Sequence, residues 1–213
     1  MRSAAGIPII ILLLLAGISC QKQQPLCILP VDTVLKPGDV VFRRGGGVAS
    51  RVVLTVDDGN YSHTGIVVDS CGVMMIVHSV PDEPDFDGDP DRVKMDTPQR
   101  FFASGYAVVG EVCRPVDSLL ALRASQIALQ VYRRGTLFDH DFDDSDTTQM
   151  YCTELLEYAF SRAGRSLADD RRHTVTLPFL HACCILPSDI HSSPLLRSVT
   201  VFTLHQYSKS IAK

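Results

Sequence analysis

The chain has 213 residues, formal net charge −4, and 46% hydrophobic residues, enough for one domain with a full core and no need of disulfides to fold. Acidic and basic residues are mixed along it, which argues against general nucleic-acid binding, since that requires a basic face to displace counterions. No stretch after residue 20 reaches the ~18 apolar residues of a membrane span.

The first segment reads as a targeting sequence. Arg2 precedes an apolar run from Ile7 to Ala16, and small residues then lead to Cys20. A positive start, a short apolar centre and a small-residue exit are the features of a secretory signal, expected over residues 1–19. Gly17-Ile18-Ser19-Cys20 resembles a bacterial lipoprotein cleavage box, with Gly17 where Leu is usual. The implied product is lipidated at Cys20, tethered through residues 20–35, and held at a membrane in the cell envelope by its acyl chains. Plain secretion is the alternative.

The folded domain is expected over 36–213. Lys36-Pro37-Gly38-Asp39 signals a turn, followed by the strand Val40-Val41-Phe42. Arg43 to Gly47 reads as a flexible glycine loop, since no Walker pattern surrounds it. A short helix suits 48–56. Strands at Thr64–Val68 and Val73–His78 flank the turn Asp69-Ser70-Cys71-Gly72, giving a hairpin. A polar acidic loop spans 81–91, then a strand over Arg92–Met95, a short helix over 97–103 and a strand over Tyr106–Cys113.

Leu120, Ile127, Ala128 and Val131 recur at helical spacing within 116–134, with Asp117 to cap and Gly135 to stop. A second helix is expected from Tyr151 to Ala163, ended by Gly164, followed by Leu-Pro and Pro-Ser turns and a late strand near Ser198–Leu204. Between the helices, Asp139, Asp141 and Asp143 alternate as in a calcium loop. Asp144 and Met150 stand where such a loop needs Gly and Glu, so it reads as a solvated acidic loop, and no metal site is expected. The sum is α+β: an antiparallel sheet packed against helices.

Seven cysteines show no regular spacing and no CxxC pair. Cys152 stands out because it opens a helix. Unpaired N–H groups and the partial positive charge there favour a thiolate and can hold an oxyanion. His63 begins a strand and is placed to act as its base, and His78 ends the next strand, where it can orient the first imidazole. Tyr61 and Ser62, just ahead of His63, are candidate substrate contacts. His140, His173, His181, His191 and His205 have no evident partners and read as structural or exposed.

Tyr61 to Val68, Val77-His78 and Tyr151-Cys152-Thr153-Glu154-Leu155-Leu156 resemble the YiiX/YebB family, circularly permuted papain-like proteins of the NlpC superfamily. Gly38 to Phe42, the acidic stretch Phe138–Asp146 and Leu186-Pro187-Ser188-Asp189-Ile190 extend the resemblance over about 36–206. As in the permuted branch, both histidines precede the cysteine. The resemblance implies a cysteine hydrolase with Cys152 as nucleophile, His63 as base and His78 in the third polar position, where many relatives carry Glu. It implies no cofactor, and as substrate a peptide or lipid-like amide. The His-His-Cys set also resembles relatives of lecithin retinol acyltransferase, so acyl transfer is one alternative. A binding protein that kept the fold without turnover is the other.

Overall fold

The computed structural model describes residues 26–178 and 180–205. The expected signal and the lipidation site Cys20 lie outside the described residues. Elements follow in the order β1 (Val40–Arg44), α1 (Val48–Val56), β2 (His63–Ser70), β3 (Val73–Val80), β4 (Arg92–Asp96), α2 (Pro98–Phe101), β5 (Val109–Pro115), α3 (Ser118–Arg133), α4 (Cys152–Ala163), β6 (His173–Leu177), β7 (Leu180–Cys184), α5 (Pro187–His191) and β8 (Leu196–Thr203). Six strands form one sheet in the order β4-β3-β2-β1-β5-β8, antiparallel throughout.

Alternation along the strands sorts side chains to two faces. Val40, Phe42, Ile66, Val68, Val77 and Val93 face α3 and α4, where Leu120, Ala124, Ala128, Val131, Leu155, Leu156 and Phe160 close the larger core. The residues between them, Val41, Val67 and Ile76, face the other way, onto Ile28, Phe101, Phe102 and Phe202. The central strands are therefore covered on both sides, which is why they read as nearly unbroken apolar runs. Burying each such aliphatic or aromatic side chain contributes roughly 1.5–3 kcal/mol.

Local signals set the joints. The β2–β3 hairpin turns through Cys71 and Gly72 at φ of 55° and 84°, the paired left-handed geometry that suits strand twist. The Asp117 carboxylate accepts from the N–H groups of Leu119 and Leu120 at the start of α3, and Gly135, at φ 72°, follows its end.

Four features depart from the sequence reading. His173–Leu177 and Leu180–Cys184 pair as the antiparallel strands β6 and β7, a stretch the sequence reading leaves unassigned. Pro187–His191, expected as turns, is a short helix. The folded body begins ahead of residue 36, because Ile28 is buried in the second core and its N–H bonds to Phe102 O. The acidic loop is not fully solvated: Asp139 is 4% exposed and accepts from the N–H groups of Asp141 and Asp143, organising the loop from inside.

Candidate active site

Cys152 is the first residue of α4, and Tyr151 ahead of it is extended and buried. The Glu154 carboxylate accepts from the Tyr151 N–H at 3.2 Å, fixing the entry of the helix in the manner of a capping box. Thr153 Oγ1 donates to Ile185 O, and Ser79 Oγ in β3 donates to Met150 O. The helix N-terminus is thus pinned to the sheet just where β2 begins. N–H groups of Thr64, Thr153 and Cys152 itself lie against the thiol.

The histidines form a chain. His63 Nε2 lies 2.9 Å from His78 Nδ1, and His78 Nε2 lies 3.1 Å from Asp96 Oδ2. His78 is fully buried and His63 nearly so. Burial opposes charge on Asp96, but the hydrogen bond from His78 and the charges of Lys94 and Arg100 outweigh it, so its pKa is lowered. Burial, together with the Arg43 guanidinium, lowers the pKa of His78 and takes that of His63 well below the ordinary imidazole value.

These charge states fix the tautomers. An ionised Asp96 only accepts, so His78 Nε2 carries the proton and its Nδ1 is bare. A bare His78 Nδ1 requires the proton of His63 on Nε2. His63 Nδ1 is then the lone-pair nitrogen, which is the form a general base needs.

Arg43 completes this side of the site. It pairs with His63 across β1 and β2, is 3% exposed, donates to Phe101 O at 2.9 Å and forms an ion pair with Glu83. Its guanidinium stands 4.6 Å from the Phe101 ring centroid, and the same ring packs against His63 and His78. Sequence reading missed both Arg43 and Asp96. Arg43 was assigned to the glycine loop, and the strand ending at Met95 stopped one residue short of Asp96.

The nucleophile and base approach from opposite sides of the strand. Alternation places His63 on the α2 face, whereas α4 packs on the other. They meet at the His63–Thr64 step, where the Thr64 N–H touches the Cys152 thiol. No hydrogen bond joins Cys152 to His63 among the described residues. Catalytic hydrogen bonds are commonly long in ligand-free enzymes and tighten on the substrate complex. Burial works against the thiolate expected at the helix N-terminus: it outweighs the surrounding N–H groups and pushes the Cys152 thiol up to about 11.

The two candidate substrate contacts are engaged elsewhere. Ser62 Oγ is 2.6 Å from Ser50 Oγ. Tyr61 donates to Glu111 Oε2, which His191 Nε2 also meets at 2.9 Å, while Cys113 Sγ donates to Glu111 Oε1 at 3.3 Å. His191, His173, His140 and His181 therefore do have partners, the last three on Asp189, Asp91 and Thr176. Buried small hydrophobes account for only part of the cysteine set, since Cys71 and Cys183 are exposed.

The chain matches no family model, and no curated protein shows significant sequence similarity to it. Among solved structures, the crystal structure of metalloprotein YiiX from Escherichia coli O157:H7 aligns with a TM-score of 0.58 at 18% identity, over 83% of this chain and 97% of the YiiX chain. The fold is YiiX-like. The expected α+β class, with an antiparallel sheet packed against helices, holds. The YiiX-like body spans most of the chain.

Proposed function

We propose that the chain is a papain-type cysteine hydrolase acting on an amide bond, or on an ester, with Cys152 as nucleophile, His63 as base and His78 and Asp96 as the groups that orient the base. One observation carries the reading: the Asp96–His78–His63 chain leaves His63 Nδ1 as a bare base at the start of β2, one residue before Thr64, whose N–H lies against the Cys152 thiol at the head of α4. In the cycle, Cys152 Sγ attacks the carbonyl carbon as its proton passes to His63 Nδ1. The N–H groups of Cys152 and Thr64 are the available donors for the oxyanion. Collapse of the tetrahedral intermediate breaks the carbonyl–nitrogen bond, and the imidazolium returns its proton to the leaving amine. Water, deprotonated by His63, then releases the acid and restores the thiol.

The substrate class is a peptide or lipid-like amide, and the expected signal and Cys20 lipidation would place the enzyme in the cell envelope. Incubation with an activated acyl ester, with and without an added amine, separates the outcomes. Free acid as the main product supports hydrolysis, acyl-amine supports acyl transfer, and no turnover favours a binding protein. Labelled fatty acid incorporated by the chain but not by Cys20→Ala tests the anchor. A metal-dependent reading has one support, the description of YiiX as a metalloprotein. A chelator distinguishes it, since a Cys-His hydrolase keeps its turnover.

A further inference from the structure

Glu111 sits apart from the Asp96–His78–His63 chain, on the sheet face that packs α3 and α4. It is 3% exposed, and no lysine or arginine lies within ion-pair distance of it among the described residues. A buried carboxylate is costly unless a cation or several donors compensate it. The partners here are Tyr61, His191, Cys113 and Ser198, of which only His191 can carry positive charge.

From these observations we propose that Glu111, Cys113 and His191 bind a divalent transition ion of the zinc type. The three ligand atoms lie within 4.8 Å of one another. Ligand atoms on one tetrahedral zinc stand roughly 3.3–3.5 Å apart, from bonds of about 2.0–2.3 Å. Glu111 Oε2 stands 2.9 Å from His191 Nε2 and Glu111 Oε1 stands 3.3 Å from Cys113 Sγ, so the carboxylate lies between the imidazole and the thiol with one oxygen toward each. A thiolate, an imidazole and a carboxylate suit zinc or cobalt in preference to calcium or magnesium, which favour all-oxygen sets.

The supports of the site are in place. Tyr61 and Ser198 hydrogen-bond the Glu111 carboxylate, as outer groups do around bound metals. Glu111 and Cys113 lie two apart on β5 and share a face, and β5 is held between β1 and β8. His191 comes from the end of α5, and its side chain is 37% exposed, giving an ion a route in. Binding replaces hydrogen bonds with metal bonds: Cys113 loses its thiol proton to solvent, and His191 carries its remaining proton on Nδ1 so that Nε2 ligates. A fourth position is left for water.

Cobalt(II) titration of the purified chain tests this, read by the charge-transfer absorption that a thiolate–cobalt bond produces. One equivalent is expected to bind with that absorption, unchanged in Cys152→Ala. Cys113→Ser should abolish the absorption, and His191→Ala should weaken binding at least tenfold. His191 is partly exposed, so its removal leaves the fold intact, as a thermal melt of the variant verifies. Zinc should compete the cobalt out. Failure to bind cobalt, or an absorption that disappears in Cys152→Ala and persists in Cys113→Ser, overturns the proposal. Either result leaves the hydrolase reading to its own test, because Cys113 and His191 take no part in that cycle.

Discussion

His78 Nε2 and Asp96 Oδ2 stand 3.1 Å apart, both buried, at the inner end of the hydrogen-bonded chain that reaches His63. This contact sets which nitrogen of each imidazole carries its proton. Asp96→Asn keeps the shape but can offer an N–H in place of an acceptor. His78 would then turn its bare nitrogen toward residue 96 and donate from Nδ1, leaving His63 with its proton on the nitrogen that must act as base. Acylation of Cys152 should fall by about 10²–10⁴-fold, with the melting temperature changed far less. Burst amplitude and rate with an activated ester, alongside a thermal melt, check this.

Arg43 and Glu83 form an ion pair whose side chains are 4% and 10% exposed. Arg43→Met leaves the carboxylate buried without its cation and should cost about 3–5 kcal/mol of stability. The double substitution Arg43→Met with Glu83→Met removes both charges and should recover much of that loss. Denaturant unfolding of the single and double variants measures the difference. The single and double variants should also show a higher His63 pKa, because the guanidinium is one of the causes that lower it.

Stability should depend on pH at both ends, with opposite signs. Burial raises the Glu154 carboxyl to about 8 from 4.5. Its folded pKa lies above its unfolded one, so its stabilising contribution is complete below 4.5 and is lost as pH rises through about 8. The lowered folded pKa values of His63 and His78 work the other way, and stability falls as pH drops below the ordinary value of 6.5. Glu154→Gln should remove the alkaline loss and leave the acid one. Melting temperatures of the two proteins between pH 4 and pH 9 separate the effects, taking the range from roughly one unit beyond the ordinary carboxyl and raised Glu154 values.

The sequence made most of the sheet legible because its central strands are apolar on both faces and its turns carry their own signals, as at Cys71-Gly72 and Asp117. It also brought forward Cys152 and His63, which each open a regular element, and His78, which lies near the end of β3. The β6–β7 pair escaped notice because it lies outside the main sheet and each strand is only five residues long, too short for its alternation to stand out. Asp96 and Arg43 were missed for a different reason. Their roles depend on neighbours distant in sequence, across β3 and β2, and nothing local distinguishes them from surface charges. At Cys152 the sequence shows only the helix start that favours thiolate, while the burial that opposes it comes from tertiary packing.

Reaction of the chain with p-nitrophenyl acetate at neutral pH, followed by mass analysis of every cysteine peptide, tests the central claim most directly. The exposed Cys71 and Cys183 serve as internal references. A hydroxylamine-labile acetyl group that forms on Cys152 faster than on either reference, and that slows by about 10²-fold or more in His63→Ala, is the expected result. Acetylation of Cys152 no faster than that of Cys71 and Cys183, at a rate unaffected by His63→Ala, would contradict it.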